Sequence, residues 1–263
     1  VIRNKSFLAF RNAINFSTLS RQNKSIVFYS EGKNYWIEFS SIRNLLINNY
    51  DLRVCFLTSD ICDPGLLFFH KNYNSFFIGN GLIRNLIFEN IDTDGFVMTM
   101  PDIDVFQIKR SKIKSVKYVY IQHSLMSLHG AYREHAFDNF DILFCSGPHH
   151  LKEARALEKA NISKKKVLFE HGNAKIDSLL QQLNCSNVNK TFTKSPSLKN
   201  TVLFAPTWGA AGALSNVGFD IVNNLLKEGF NIIFRPHPES LKQEMHVVKK
   251  ILSAFGDSDQ FYY

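Results

Sequence analysis

Lys117-Tyr118-Val119-Tyr120-Ile121-Gln122-His123-Ser124 is an aromatic and β-branched run that ends in polar residues, and Ile142-Leu143-Phe144-Cys145-Ser146-Gly147-Pro148-His149-His150 repeats the arrangement. Neither run carries a polar face, which is the pattern of a strand covered by helices on both sides of its sheet. Val167 to Glu170, ending at His171-Gly172-Asn173, is a third copy. Working outward, Ser25 to Tyr29, Leu52 to Leu57, Ser75 to Ile78 and Gly95 to Thr99 read as earlier strands, and Thr201 to Ala205 and Asn231 to Arg235 as later ones. Helical patterns lie between them at Ile37 to Asn48, Gly81 to Phe88, His149 to Ala160, Ile176 to Leu183, Phe219 to Lys227 and Ser240 to Phe255. In the last, Leu241, Met245, Val248, Ile251 and Leu252 form one stripe of 3.6-residue period. Strands that alternate with helices in this way stack into parallel α/β sheets.

The 263 residues are 45% apolar and 21% charged, enough to bury a full core and unlike a disordered chain. No apolar run reaches the roughly 18 residues of a membrane-spanning helix, and nothing resembles a secretory signal, so a cytoplasmic protein is expected. The formal charge of +8 points to an anionic partner: a phosphorylated small molecule, an anionic polymer, a membrane surface or nucleic acid. Sequence-specific nucleic-acid binding is disfavoured, because no recognised module or aromatic stacking pattern accompanies the charge. Cys55, Cys62, Cys145 and Cys185 form no CxxC pair and read as free thiols of a reducing compartment.

Four segments are expected. Residues 1–24 form a helical extension in which Phe7, Leu8, Phe10, Ile14 and Phe16 pack on the next domain, with a membrane-surface anchor as the rival reading. Residues 25–184 form the first α/β domain, and 185–200, poor in apolar residues, a linker. Residues 201–263 form a second domain that is incomplete, with two clear strands and a third at Gln260 to Tyr263, so the native protein is expected to continue or to lean on another chain.

Parallel sheets bind ligands outside the carboxyl ends of their strands. Gln122, His123 and Ser124 follow one strand, Gly147, His149 and His150 another, and His171 a third. In the second domain Thr207, Trp208 and Gly209 follow one strand, and Arg235 with His237 ends another. Imidazole exchanges protons near neutrality and, when protonated, donates two hydrogen bonds to a phosphate, the two tasks of phosphate-ester transfer. Zinc is a poor rival, since no HExxH or compact Cys/His set occurs. GxGxxG and GxxxxGK[ST] are absent as well, so neither NAD nor a P-loop nucleotide is indicated, and no cofactor is expected. The Gly209-Ala210-Ala211-Gly212 turn is small enough for a ligand to approach the backbone, and a helix N-terminus behind it favours phosphate.

Five elements stand in a telling order: Tyr118-Val119-Tyr120-Ile121-Gln122-His123-Ser124, Ala136-Phe137-Asp138-Asn139-Phe140-Asp141, Gly147 with Glu153, Ala205-Pro206-Thr207-Trp208, and Arg235-Pro236-His237-Pro238. Together they resemble the CDP-glycerol glycerophosphotransferase family, the teichoic-acid and capsule polymerases of GT-B fold. The resemblance covers Lys117 to Pro238, with the APTW and RPHP elements its more specific part. It implies two Rossmann-like, doubly wound parallel-sheet domains, the second incomplete in this chain. It also implies that His123 acts as base toward an acceptor hydroxyl and that His237 holds the donor pyrophosphate. Gln122-His123-Ser124 lacks the Trp and Gly of the family's QxWHG-like element, which leaves the acceptor open.

On this resemblance the donor is CDP-glycerol or another nucleotide-activated compound, and the acceptor a polyol-phosphate or glycan hydroxyl, lipid-linked or free. Gln122, Ser124, Gly147, His171, Thr207, Trp208, Gly209 and Arg235 are the expected binding residues around His123 and His237, and the two imidazoles are expected to face one another across a shared gap. Two alternatives stand beside this: a GT-B glycosyltransferase using a nucleotide sugar, and a non-catalytic binder of anionic polymer or lipid through Lys109 to Lys117 and Lys164-Lys165-Lys166. Contact with the inner face of the cell membrane fits the same charge.

Overall fold

The computed structural model describes residues 2–105, 108–184 and 200–263. It divides into two units, Val1–Ser186 and Asn187–Tyr263. The first is built on seven strands: β1 (Ile26–Ser30), β2 (Val54–Thr58), β3 (Tyr73–Phe77), β4 (Gly95–Met98), β5 (Lys117–Ile121), β6 (Ile142–Cys145) and β7 (Val167–Glu170). All neighbours pair in parallel, in the order β3-β2-β1-β4-β5-β6-β7. The helices are α1 (Ile2–Ser17), α2 (Ser40–Asn48), α3 (Leu82–Asn90), the single turn α4 (Leu128–Ala131), α5 (Pro148–Ala160) and α6 (Ala174–Asn184).

In the inner strands β1, β2, β4 and β5, residues alternate between two buried faces, which is why these strands show no polar period. Tyr29, Cys55, Phe96, Met98, Tyr118 and Tyr120 enter one core with Phe88 and Phe140, while Phe28, Phe56, Val97, Val119 and Ile121 enter the other with Phe39. Each such burial is worth roughly 1.5–3 kcal/mol. Phe88 meets Tyr29 and Phe96 edge to face, at 4.7 and 4.9 Å between ring centroids, the arrangement that aromatic quadrupoles favour. Order reverses between β1 and β4, so the chain leaves these neighbours toward opposite sides and opens a crevice at their carboxyl ends.

Two local readings in this unit are corrected. The helix expected over Ile37 to Asn48 is a 3-10 segment, Lys33–Phe39, followed by α2. Of the apolar residues expected to pack the N-terminal helix on the next domain, Phe16 is buried with Ala9 where α1 meets β3 and α3, while Phe7, Phe10 and Ile14 stay exposed. No helix among the described residues is long and apolar enough to cross a membrane.

The second unit holds β8 (Thr201–Phe204), α7 (Ala213–Lys227), β9 (Asn231–Phe234), α8 (Ser240–Gln243), α9 (Met245–Phe255) and β10 (Phe261–Tyr262). Its strands are parallel in the order β10-β9-β8, and Leu214, Val222, Ile232, Phe234, Val248, Ile251 and Phe261 form its core. The single helix expected from Ser240 to Phe255 is broken at Glu244, whose backbone is non-helical (φ −124°, ψ 24°). Of the expected linker, residues 185–199, with Cys185 among them, lie outside the described residues.

Candidate functional site

β5 carries Ile121 to the carboxyl end of the sheet, where the Gln122 N–H, donated to the Phe144 carbonyl at 3.0 Å, makes the last bond to β6. The next residue, His123, enters a cavity of about 620 Å³ lined by Glu31, Tyr35, Thr99, Pro101, Asp102, Ala131, Tyr132 and Arg133. These residues follow β1, β4 and β5, so the cavity occupies the crevice where strand order reverses. Tyr35 meets the His123 ring edge to face at 5.4 Å, and Tyr120 lies 6.5 Å away from it.

The His123 ring is half-buried, and its Nδ1 is enclosed without a hydrogen-bond partner, which leaves Nε2 as the nitrogen able to meet a ligand. Burial, with the Lys175 charge, holds its pKa below the ordinary value, so the ring is a neutral base at pH 7. Two carboxylates share the cavity. Burial raises the pKa of Glu31 against the pull of Arg84, and raises that of Asp102 against Arg133. Thr99 is 1% exposed, and its Oγ1, like Asp102 Oδ1, has no partner.

The other residues expected around His123 have different surroundings. Gln122, 3% exposed, accepts the Tyr132 hydroxyl proton at 3.1 Å and donates to the Ser124 carbonyl at 2.9 Å, while Tyr120 donates to Tyr132. It braces the turn that presents His123. The Ser124 hydroxyl accepts the Met126 N–H, closing a local turn. Gly147 precedes α5, where a Cβ would sit 3.2 Å from the His149 ring. His150 is fully buried, with Nε2 2.8 Å from the Met126 carbonyl, and Glu153 accepts the Leu128 N–H at 2.6 Å. Both pin the loop after His123. His171 lies outside the cavity lining, with Nε2 3.0 Å from Ser41 Oγ and its ring tilted against Phe144.

In the second unit the residues after β8 and β9 gather at one end of the three-stranded sheet. The Trp208 and His237 rings lie 6.3 Å apart at 32°, and Trp208 is 44% exposed. His237 Nδ1 accepts the Glu239 N–H at 3.1 Å, which leaves its Nε2 as the outward donor. Arg235 is exposed. The Gly209 N–H is not free to meet an anion, because Glu244 Oε2 accepts it at 3.1 Å. Glu244 also accepts the Ser215 and Ser240 hydroxyls. Gly209 has φ 104°, a conformation L side chains rarely adopt, and a Cβ on Gly212 would meet the Thr207 and Gly209 carbonyls at 2.9 Å. The small residues here shape the turn, and behind it α7 has Gly212 at its N-cap, which supplies no capping side chain.

Glu31, Tyr35, Thr99, Asp102, Tyr132 and Arg133 were not expected from the sequence. The signal open to it was that Glu31 and Thr99 directly follow strands, but only the strand order makes β1, β4 and β5 neighbours. Among the described residues no group of three or more His, Cys, Asp or Glu side chains is arranged to hold a metal ion.

Two parallel α/β units of this kind define a GT-B-like fold. Solved structures with it include a variant of the wall teichoic acid polymerase TagF, with 14% identity over 98% of this chain and 69% of that chain and a TM-score of 0.54. A TagF variant soaked with CDPG gives 12% identity over 99% of this chain and 68% of that one, with a TM-score of 0.53. The UDP-GlcNAc 2-epimerase of Methanocaldococcus jannaschii, in complex with UDP-GlcNAc and UDP, gives 15% identity over 90% and 72% and a TM-score of 0.56. No protein-family model and no curated protein matches the chain.

Proposed function

We propose that this chain belongs to a transferase that moves a glycerophosphate or related polyol-phosphate unit from a CDP-activated donor to a hydroxyl acceptor during synthesis of a cell-surface polymer. The observation that carries the reading is His123: a half-buried, neutral imidazole at the strand-order reversal, with one nitrogen sealed and the other left for a ligand. The order of the His123, Thr207-Trp208 and Arg235-Pro236-His237 elements, which resembles the glycerophosphotransferases, supports the choice of donor.

On this reading the acceptor hydroxyl gives its proton to His123 Nε2 as its oxygen forms a bond to the donor phosphorus that bears the glycerol. The bond from that phosphorus to the bridging oxygen breaks, and CMP leaves with the negative charge. A positioned base contributes roughly 10²- to 10⁴-fold. The His237 Nε2–H and the Arg235 guanidinium stabilise the charge that grows on the leaving phosphate, the kind of term that commonly dominates such reactions. His123 and His237 belong to different units, and their service to one donor is part of the proposal.

The test is CMP release from CDP-glycerol by the purified protein, against UDP release from UDP-sugars. CMP release that falls at least about 100-fold in both His123→Ala and His237→Ala, at unchanged melting temperature, is the expected result. Near-wild-type turnover in both variants, or release of UDP alone, rejects the assignment.

A further inference from the structure

The turn that carries His123 is held on both flanks. Before it, the Ser146 hydroxyl donates to the Gln122 carbonyl at 3.3 Å, and after it the Gln122 side-chain amide donates to the Ser124 carbonyl at 2.9 Å. The second bond spans His123 and closes a small ring around its backbone. With the Gln122 NH2 committed in this way, the amide oxygen points away from the turn and needs a donor of its own. Gln122 is 3% exposed, and a buried amide oxygen left without a partner is costly.

Tyr132 supplies that donor. Its hydroxyl reaches Gln122 Oε1 at 3.1 Å from ten positions along the chain. The loop that begins at His123 therefore returns to the base of the turn at Tyr132, and this bond clasps its two ends together. The middle of the loop is pinned separately, by His150 at the Met126 carbonyl and by Glu153 at the Leu128 N–H. Tyr120 sets the direction of the hydroxyl chain. It is 1% exposed, and burial holds its phenol well above the ordinary range, so it keeps its proton and donates it to the Tyr132 oxygen at 3.2 Å. The Tyr132 proton is left for Gln122. Tyr132 lines the cavity, but with its hydroxyl donated to Gln122 it is not free to act as an acid toward a ligand.

We propose that Tyr132 is a positioning residue for His123, a role that rests on the transferase reading: by clasping the loop of residues 123–131 onto Gln122, it fixes the direction in which the imidazole faces the cavity. Among the described residues no hydrogen bond orients the ring itself. Its Nδ1 has no partner, and Tyr35 and Tyr120 meet it only through aromatic packing. The aim of the base then depends on the backbone that carries it, and a displacement of about 1 Å can cost 10²-fold in rate.

Tyr132→Phe keeps the aromatic ring and removes the clasp, while Gln122→Met removes its acceptor with little change in volume. Each is expected to lower kcat for CMP release from CDP-glycerol at least about tenfold, with KM within about twofold of wild type. Because Tyr132 acts through Gln122, the two losses are not additive, and the double variant is expected to match Gln122→Met within about twofold. Rates are compared well below the melting temperature of every variant, so that loss of fold does not enter. Losses that multiply in the double variant, or a Tyr132→Phe kcat within about twofold of wild type, overturn the inference and leave the transferase reading standing. The ring is followed in parallel by NMR, through the His123 Cε1–H resonance identified by its loss in His123→Ala. A sharp wild-type line that broadens or splits in Tyr132→Phe and in Gln122→Met, with the His237 line unmoved, supports the clasp. The same result in a protein that releases no CMP rejects the transferase alone. A His123 line unaltered by Tyr132→Phe overturns the clasp whatever the turnover.

Discussion

The rings of Tyr35 and His123 meet edge to face, 5.4 Å between centroids and at 86°. Tyr35 lies on the 3-10 segment after β1, and His123 on the turn after β5, so this contact ties together two strand ends that are far apart in sequence and close only because β4 separates them. It covers part of the imidazole, and burial is the first cause of the lowered His123 pKa, with Lys175 the second.

Lys175→Gln removes the second cause and leaves the first. The His123 pKa is expected to rise toward the ordinary value of about 6.5, as read from the pH dependence of its imidazole resonances. More of the ring is then protonated at any given pH, so the acid limb of the rate profile moves to higher pH. A His123 titration unchanged in the variant would show that Lys175 does not act on it.

Glu38 is 4% exposed on the segment that packs against α6, and burial raises its pKa to about 7 despite the Lys175 charge. The unfolded chain releases this proton near pH 4.5, so between about 4.5 and 7 the native state binds more protons than the unfolded one. The Glu38 contribution is therefore unfavourable above that window and absent below it. Glu38→Gln is expected to stabilise the protein by about 1–3 kcal/mol at pH 8 and by nothing at pH 4, from urea unfolding at the two pH values. An equal effect at both would contradict this account.

Asp141, within the Ala136 to Asp141 element, accepts the Tyr118 N–H and an Arg110 N–H at 3.0 Å each and the Lys164 ammonium at 3.3 Å. Burial opposes its charge, but these donors outweigh it and hold the pKa below the ordinary value. Its contribution is complete above the unfolded value near 3.9 and lost as pH falls through the folded value. Asp141→Asn is expected to cost about 1–3 kcal/mol at pH 7, with the gap to wild type closing in acid. A gap that widens as pH falls would exclude this role.

Glu244→Gln tests whether the turn bearing Trp208 depends on one carboxylate. Gln presents a single acceptor oxygen where Glu244 takes the Gly209 N–H and the Ser215 and Ser240 hydroxyls. If the chain is the proposed transferase, the expected outcome is a rise of about tenfold in the KM for CDP-glycerol with a smaller change in kcat, because the turn proposed to meet the donor loses its brace. An unchanged KM would show that the turn holds without it.

Several of these features were legible in the amino-acid order. β5 and β6 begin and end where the apolar runs do, because a strand covered on both faces needs such a run and a polar residue stops it, whereas β7 is an edge strand whose Val167 and Phe169 are about half exposed. His123 was visible for the same reason, as the first titratable side chain past a strand end. The break at Glu244 was not: the apolar stripe continues through it, and there the Glu244 carboxylate accepts hydrogen bonds from Gly209 and Ser215, distant along the chain.

Local pattern thus determined the elements of this protein, since strand and helix formation depend on residues within a few positions of one another. Which strand ends share a crevice was decided only by tertiary structure. The order β3-β2-β1-β4-β5 sets Glu31, Thr99, Asp102 and His123 around one cavity. Strand adjacency is a long-range outcome of packing the whole sheet, and the polarity and protonation of the cavity follow from it.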